Sequence, residues 1–171
     1  MMKNVMFNRL MRKFGFCKKA VEILAAPVEG EAVNSVEIGD AAFGGEMLGR
    51  GMAIKPVSGK VYAPVNGTVS LVSGAKHALT ILSEKGAEVL IHVGLDTVSL
   101  DGKPFQLYVK AEDQVKKGDL LAEFDLNMIQ SAGLDTIIPI VILNSNIYTK
   151  INRFTGKNVK PGDDIIKLVK V

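Results

Sequence analysis

The sequence predicts an all-β protein, an antiparallel β-sandwich or barrel with short helical turns and an amphipathic N-terminal arm. Many short runs of Val, Ile and Leu are separated by Gly, Pro, Asn or Asp, which is typical of strands joined by tight turns. The chain has 17 glycines and no Trp. Its 171 residues are enough for one ordinary domain with a sizeable core and too few for two comfortable ones. We therefore assign residues 20–171 to one domain and residues 1–19 to the arm.

The arm differs sharply in charge from the rest of the chain. It carries six basic residues and no acid, whereas the remainder has 15 bases and 18 acids. Met2, Met6, Leu10 and Phe14 recur every four residues, with basic and amide side chains between them, which predicts a short amphipathic helix. Such a helix suits an anionic membrane surface. A frayed or self-packed tail is the alternative, because helices this short are marginal in water.

Composition also limits the compartment and the partners. The single Cys17 excludes a disulfide framework and a cysteine zinc site, which favours a reducing cytoplasm. The apolar run from Ile137 to Leu143 is short and contains Pro139, so it is not a membrane span. We expect a cytoplasmic protein with peripheral contact at the inner face of the membrane through residues 1–19, and no nucleic-acid partner.

Two phrases occur twice along the chain. Ala26-Pro27-Val28-Glu29-Gly30 returns at residues 63–67, and Val115-Lys116-Lys117-Gly118-Asp119 returns at residues 159–163, each with one change. Each phrase combines Pro or Gly with a following apolar run, so each is predicted to be a turn that enters a strand. The repeats suggest two similar sheet halves packed face to face.

A glycine-rich segment, residues 39–56, separates the early strands. It lacks the Gly-Lys-Ser/Thr of a phosphate loop and does not fit the dinucleotide fingerprint. Phe43, Met47 and Leu48 are predicted to be exposed there and to form an apolar rim for docking. Further on, residues 126–132 predict one short helical turn, and residues 137–143 predict a buried strand.

The only two histidines lie in neighbouring strand-like runs. His92 ends the run from Val89, and His77 begins the run that continues to Leu82. If residues 83–86 form the hairpin loop, Leu82 faces Ala87 and His77 stands directly opposite His92. A slip of one residue would place the two rings on opposite faces of the sheet.

Two adjacent imidazoles suit divalent metal binding, or nucleophilic attack by one ring while the other stabilises the incoming charge. An imidazole with an unperturbed pKa of about 6.5 is largely neutral near pH 7 and can accept a phosphoryl group. The structural alternative is a pair of packed histidines that are satisfied by backbone groups.

The spaced elements together resemble the glucose-family enzyme IIA of the bacterial phosphoenolpyruvate-dependent sugar phosphotransferase system. The resemblance covers about residues 21–171. The elements that carry it are Phe43, Gly51-x-Ala53-Ile54-Lys55-Pro56, Ala63-Pro64-Val65-x-Gly67-Thr68-Val69, His77-Ala78, Glu88-x3-His92-x-Gly94-x-Asp96-Thr97-Val98, Gly118-Asp119 and Glu123-Phe124-Asp125-Leu126.

The resemblance implies an antiparallel β-sandwich and a phosphocarrier function. By resemblance, His92 is the phosphorylated nucleophile, His77 stabilises the phosphoryl group, and Asp40 and Asp96 are acidic groups at the site edge. The phosphoryl donor is then HPr, and the acceptor is the enzyme IIB component of a membrane sugar permease. The resemblance also allows regulation of partner proteins by phosphorylation state.

One position departs from the family pattern. The family usually has a threonine two positions before the supporting histidine, where this sequence has Ala75. A hydroxyl at that position can hold the histidine ring in one tautomer. We therefore expect His77 to have a fixed tautomer only if the hydroxyl of Ser73 or Thr80 takes over this role.

Two other function classes remain open at this stage. A metallohydrolase would bind zinc through His77 and His92 and would need Asp40 or Asp96 as a third ligand. A purely regulatory module would use the same surface as a charge-switched docking face. We expect the free protein to require no cofactor or metal, and zinc to bind to the two histidines only together with a partner carboxylate in a complex.

Overall fold

The computed structural model describes residues 20–170, which contain short strands, two short helices and three 3-10 turns. The predicted arm, residues 1–19, lies outside the described residues. The strands are β1 Ala20–Ala25, β2 Gly30–Asn34, β3 Arg50–Pro56, β4 Lys60–Tyr62, β5 Gly67–Val72, β6 Ala78–Ser83, β7 Glu88–His92, β8 Phe105–Leu107, β9 Gln114–Val115, β10 Leu120–Phe124, β11 Ile138–Ile142, β12 Lys150–Arg153, β13 Lys157–Val159 and β14 Asp164–Lys170. The helices are α1 Ala41–Gly44 and α2 Leu126–Ser131, and the 3-10 turns are Ser35–Glu37, Thr97–Leu100 and Ser145–Ile147.

The strands form one large sheet and two small ones, and every pairing between them is antiparallel. The large sheet has the order β13-β2-β3-β11-β7-β6-β5-β9, and the small sheets are β1-β14-β12 and β4-β10-β8. This architecture confirms the predicted all-β class with short helical turns. The predicted helical turn near residue 126 and the buried strand near residue 137 are confirmed as α2 and β11. No helix in residues 20–170 is both long enough and apolar enough to cross a membrane.

The main core lies between the large sheet and the two small ones. Ile91 of β7 and Ile140 of β11 pair and are buried with Leu24 of β1, Leu121 of β10 and Leu168 of β14. Side chains alternate across a strand, so the inward residues of β7 leave His92 on the other face of the sheet. Full burial of an Ile or Leu side chain contributes about 1.5–3 kcal/mol each, which makes this layer a rigid base for the outer face.

A second, smaller apolar cluster supports the region of His92. Val33 of β2, Ala53 of β3 and Ile137 before β11 are buried together with Ile38, and Phe43 and Leu95 pack against this cluster. Val33 pairs with Ala53 in the sheet. Alternation places these residues on the face opposite the main core, which is the face that His92 occupies.

The two repeated phrases have equivalent structures. The Ala26 amide donates to the Asp163 carbonyl at 2.7 Å, and the Ala63 amide donates to the Asp119 carbonyl at 2.8 Å. The Asp119 and Asp163 side chains accept from backbone amides three residues earlier, at 2.8 Å in each case. Each Pro-containing phrase is therefore hydrogen-bonded to one Gly-Asp turn, so the repeated phrases form equivalent turns. The sheets themselves, one of eight strands and two of three, are not two similar halves.

The predicted register of the β6–β7 hairpin is wrong by one residue. Ala78, not His77, pairs with His92, and Leu82 pairs with Glu88. The Ser83 amide donates to the Ala87 carbonyl at 2.8 Å, so the loop has three residues rather than four. A three-residue loop of this kind needs a left-handed residue at its end, and Gly86 supplies it with φ of 93°.

Candidate functional site

The two histidine rings meet although they are not paired in the sheet. Their centroids are 4.8 Å apart and their planes are nearly perpendicular, at 79°. His92 is the last residue of β7, and His77 lies in the bend that precedes β6. The Val93 amide donates to the His77 carbonyl at 2.7 Å, which fixes the bend against the end of β7. The prediction of adjacent rings is confirmed, and the contact arises at the end of the hairpin rather than inside it.

The tautomer of His92 follows from its backbone partner. Its Nδ1 lies 2.8 Å from the carbonyl oxygen of Gly94. A carbonyl oxygen can only accept, so Nδ1 carries the proton and donates it. In the neutral ring the lone pair is then on Nε2, which is the nitrogen that can attack an electrophile.

Local backbone geometry directs the Gly94 carbonyl. Gly94 has φ of 74°, and a Cβ built there would lie 2.5 Å from the Thr97 side chain and 2.8 Å from the Asp135 carbonyl. Thr97 is fully buried, and its hydroxyl donates to the Val93 carbonyl. Only glycine fits this turn. In any other residue the Cβ atom would collide with Thr97 and the Asp135 carbonyl, and the left-handed backbone would cost free energy.

The ring of His77 is held by Ser73. The Ser73 Oγ is 3.2 Å from His77 Nδ1 and also accepts from the Ala78 amide at 3.0 Å. The Ser73 hydroxyl can donate its proton to Nδ1, and with this hydrogen bond the ring proton of neutral His77 is on Nε2. In the family a threonine hydroxyl at the position of Ala75 can hold this ring. Here Ser73 supplies the hydroxyl partner of His77 instead.

Burial keeps both rings in their neutral form. Burial is the largest effect and lowers the pKa of His92 below its ordinary value. In decreasing order, the Gly94 hydrogen bond raises this pKa, His77 lowers it, and Asp40 and Asp96 raise it. Burial also lowers the pKa of His77. At pH 7 the His92 Nε2 lone pair is therefore free.

The two acidic residues lie near His92, as expected, and have backbone roles as well. Asp40 caps α1 by accepting from the amides of Ala42 and Phe43 at 2.8 and 3.1 Å. Asp96 has φ of 58° and precedes the 3-10 turn Thr97–Leu100. Both raise the pKa of His92, though less than burial lowers it. They bring negative charge to the site without touching a ring nitrogen in a hydrogen bond.

The apolar rim has one partly buried part and one exposed part. The Phe43 ring lies 4.9 Å from the His92 ring, centroid to centroid, and the Phe43 side chain packs against the small cluster. Met47 is 77% exposed and Leu48 is 44% exposed. Phe43 is therefore a contact of the nucleophile as well as a rim residue, which the sequence pattern did not predict.

Further exposed apolar side chains lie on elements next to this rim, and the sequence analysis did not identify them. Val36 is 80% exposed in the 3-10 turn before α1, and Val98 is 57% exposed in the turn after Asp96. Isolated apolar residues on a surface are common, and only their place on the turns next to α1 and Asp96 marks these two.

Asp40 and Asp96 do not complete a metal site with the histidines. Within residues 20–170, no group of three or more His, Cys, Asp and Glu side chains is placed to hold a metal ion. Two imidazoles supply two of the four positions that zinc prefers. The described residues therefore do not provide the third protein ligand of a metallohydrolase.

The fold and site define the class of protein, a β-sandwich that carries an activated histidine beside a second imidazole and an apolar surface. A family model described as "phosphoenolpyruvate-dependent sugar phosphotransferase system, EIIA 1" matches residues 22–148. The chain belongs to this family, the EIIA phosphocarriers of sugar phosphotransferase systems.

Individual relatives agree with this assignment. The chain is 43% identical over 148 residues to a PTS system beta-glucoside-specific EIIBCA component of Dickeya chrysanthemi, covering 86% of this chain and 24% of that protein. It is 43% identical over 128 residues to the component with the same description in Bacillus subtilis, covering 75% and 21%. The chain thus spans about a quarter of the length of these curated relatives.

A solved structure also matches closely. The glucose permease IIA from Mycoplasma capricolum superposes with a TM-score of 0.81 at 34% sequence identity, covering 86% of this chain and 96% of that one. In this case the match extends over nearly the whole of the other protein.

Proposed function

We propose that Nε2 of His92 accepts a phosphoryl group from phospho-HPr and passes it to the enzyme IIB component of a membrane sugar permease. The observation that carries the proposal is the hydrogen bond from His92 Nδ1 to the Gly94 carbonyl, at 2.8 Å. It leaves the Nε2 lone pair free on a ring whose pKa is lowered by burial. The family assignment gives the reaction class, and this hydrogen bond supports the choice of residue and atom.

The transfer conserves atoms and charge in a simple way. The Nε2 lone pair forms a bond to phosphorus while the bond between phosphorus and the donor breaks, and the electron pair of that bond stays with the donor. The proton on Nδ1 remains in place, where the Gly94 carbonyl stabilises the positive charge that the ring gains. Transfer to the acceptor reverses these steps, so His92 is regenerated.

In this proposal His77 stabilises the phosphoryl oxygens. Its ring lies beside His92, and Ser73 directs the ring proton to Nε2. An N–H donor to an anionic oxygen makes a charge-assisted hydrogen bond, which is stronger than a neutral one. The negative charge on the oxygens redistributes as phosphorus moves, so a fixed donor lowers the barrier for transfer.

The apolar rim has two proposed tasks. It excludes water that would hydrolyse the phosphohistidine, and it provides the surface on which HPr and enzyme IIB dock in turn. Phe43 covers one side of the His92 ring, whereas Met47 is exposed for contact with a partner. Phosphorylation changes the charge of this surface, which gives a means of regulating other partners by phosphorylation state.

The proposed setting is the cytoplasmic face of the membrane, where the permease partner presents its enzyme IIB component. Residues 1–19 are proposed to add peripheral contact through their six basic side chains, at about 1 kcal/mol for each one near an anionic surface. Comparison of vesicle binding by the full chain and by a chain without residues 1–19 tests this part. Equal binding by both would refute it.

Zinc is a second, conditional proposal. The two imidazoles at a centroid distance of 4.8 Å can supply two zinc ligands, and a carboxylate from a docked partner can supply a third. The phosphocarrier function requires no metal in the free protein. Metal analysis of the free protein and of its complex tests this, and stoichiometric zinc in the free protein would contradict it.

The test of the proposed function is phosphorylation with defined proteins. The chain is incubated with phosphoenolpyruvate, enzyme I and HPr, and its intact mass and modified residue are determined. We expect one phosphate on His92 in the parent, none in His92→Ala, and one on His92 in His77→Ala. Phosphate on His77 in the parent, or full labelling of His92→Ala, would overturn the assignment.

A further inference from the structure

We propose that Arg153 and Glu46 are positioning residues that hold the loop after α1 in place, so that Phe43 remains on His92 and the apolar rim keeps the shape to which partners bind. This inference rests on the proposed function for its kinetic consequence. Its geometry depends only on the contacts of the two side chains.

The contact joins four separate segments of the chain. Arg153, the last residue of β12, forms an ion pair through Nη1 with the Glu46 carboxylate. The same nitrogen donates to the Gly51 carbonyl of β3 at 2.9 Å. The Ser35 hydroxyl, from the 3-10 turn after β2, donates to the same Glu46 oxygen at 2.9 Å. The small sheet is thereby connected to the large sheet and to the loop after α1.

The two hydrogens on Arg153 Nη1 determine which of these contacts are its main hydrogen bonds. The Nη1 group has two hydrogens, and the Glu46 carboxylate and the Gly51 carbonyl are its two nearest acceptors. Ser35 Oγ, at 3.4 Å from Nη1, is a weak third contact and acts mainly as a second donor to Glu46. Glu46 is thus fixed by two donors from two different elements.

The loop needs an external anchor because its own structure is slight. The helix α1 has four residues, and its end is closed by bonds such as the one from the Met47 amide to the Ala42 carbonyl at 3.1 Å. Glu46 adopts φ of 56°, a left-handed conformation that costs free energy in a residue other than glycine. The ion pair of Glu46 compensates this strain and attaches the loop to the body of the domain.

Partial burial makes this ion pair more effective than the others. The Arg153 and Glu46 side chains are 28% and 26% exposed, whereas those of Lys55 and Glu37 are 49% and 46% exposed. Water screens exposed pairs strongly, so they contribute little. Arg153 also lies beyond residue 148, where the family match ends, so this anchor comes from the part of the chain that the match does not include.

The consequence is a specific defect when the anchor is removed. Met47 follows Glu46 directly, and Phe43 is three residues before it, so a released loop changes the docking surface and the cover of His92 together. The nucleophile, its Gly94 partner and His77 are on other elements and remain in place. Loss of the anchor therefore weakens binding of the phosphoryl donor more than it slows the chemical step.

The experiment is a mutant cycle on the full chain with Arg153→Gln, Glu46→Gln and the double variant. Glu123→Gln is the matched control, because it removes one acid from the exposed pair of Glu123 with Lys60. Initial rates of phosphorylation by phospho-HPr give KM and kcat, and nuclear Overhauser effects report the contact between the Phe43 and His92 rings. Each single variant should raise KM roughly fivefold or more with kcat within about twofold, and the double variant should match the worse single variant, since the two residues act as a unit.

The ring contact should weaken in these three variants and persist in the control. An unchanged KM, a fall confined to kcat, or additive effects in the double variant would overturn the inference. If the parent accepts no phosphate, the proposed function fails, and the contact between the Phe43 and His92 rings alone tests the anchor. Retention of this contact in Arg153→Gln refutes the anchor, and its loss supports it. If Arg153→Gln does not fold, Arg153→Met takes its place, because it keeps part of the aliphatic side chain and removes both the donor to the Glu46 carboxylate and the donor to the Gly51 carbonyl.

Discussion

At the scale of residues, two histidines differ in role because their hydrogen-bond partners differ. His92 donates through Nδ1 to the Gly94 carbonyl, which leaves a lone pair on Nε2. The Nδ1 of His77 faces the Ser73 hydroxyl, which leaves a proton on Nε2. One ring is thereby prepared as a nucleophile and the other as a donor, although both side chains are neutral at pH 7.

This difference predicts that the two steps of transfer respond differently to His77→Ala. Loading of His92 should continue slowly, because the nucleophile and its Gly94 partner are intact. Unloading to the acceptor should fall about 10²-fold or more, judging by the loss of comparable oxyanion donors. A two-stage assay measures loading from phospho-HPr and unloading to an enzyme IIB domain separately.

Ser73→Ala is the companion variant for this prediction. It removes the hydroxyl that orients the His77 ring but keeps the ring itself. Unloading should slow less than in His77→Ala. A parent rate of unloading in His77→Ala would show that the His77 ring does not act in transfer.

At the scale of elements, the site is built where short segments end. The strand β7 ends at His92, the bend before β6 supplies His77, and α1 supplies Phe43. These ends are fixed by the sheet on one side and by the small apolar cluster on the other. The ring of His92 is consequently partly covered while its Nε2 lone pair remains usable.

The cover provided by α1 predicts a change in the titration of His92. In Phe43→Ala, water reaches the ring, so the pKa of His92 should rise toward its ordinary value, because burial is the main cause of its lowering. A higher pKa leaves more protonated ring near pH 6, and the protonated ring has no lone pair. The acid limb of the phosphorylation rate should therefore move to higher pH.

Titration of the ring by NMR measures this shift directly. His77, Asp40 and Asp96 are the titratable groups that act on His92, and the variant keeps all three. Leu82→Ala is the control, because Leu82 is 44% exposed and lies at the loop end of the β6–β7 hairpin, away from the end that carries His92. An unchanged pKa in Phe43→Ala would show that this ring does not shield His92.

At the scale of the whole molecule, the sandwich encloses one acidic group without a full set of partners. Glu22 of β1 is 8% exposed, and neither its Oε2 nor the hydroxyl of Tyr148 has a hydrogen-bond partner. Burial raises the pKa of Glu22, against lowering effects of Ser83 and Lys85. Burial and the nearby Glu22 charge raise the pKa of Tyr148 to about 12.

These groups predict a pH-dependent effect of Glu22→Gln on stability. The folded-state pKa of Glu22 lies above the unfolded value of 4.5, so its contribution is fully present below pH 4.5 and is lost as the pH rises through the folded value. The glutamine side chain in Glu22→Gln carries no charge at any of these pH values. Thermal unfolding should show the variant gaining stability over the parent at pH 7.5 and losing that gain at pH 4.

Glu84→Gln removes a nearby exposed acid and serves as the control for this measurement. Its melting temperature relative to the parent should change little between the two pH values, because the Glu84 side chain is exposed to water. The prediction fails if Glu22→Gln shows the same difference from the parent at pH 4 and at pH 7.5.

The sequence by itself determined the class of fold, the repeated turns and the pair of histidines. These depend on local signals, since alternating apolar residues and Gly or Pro turns act over a few positions. The phrases at residues 26–30 and 63–67 could therefore be assigned to similar turns before their contacts were known.

Tertiary structure decided the features that depend on distant segments. The register of the hairpin changed by one residue because Gly86 permits a three-residue loop, and the rings still meet because the chain bends at His77. Arg153 is more than 100 residues from Glu46 in sequence, and their contact exists only because β12 packs beside β3. No sequence period relates such residues, since their distance is set by the packing of the two sheets.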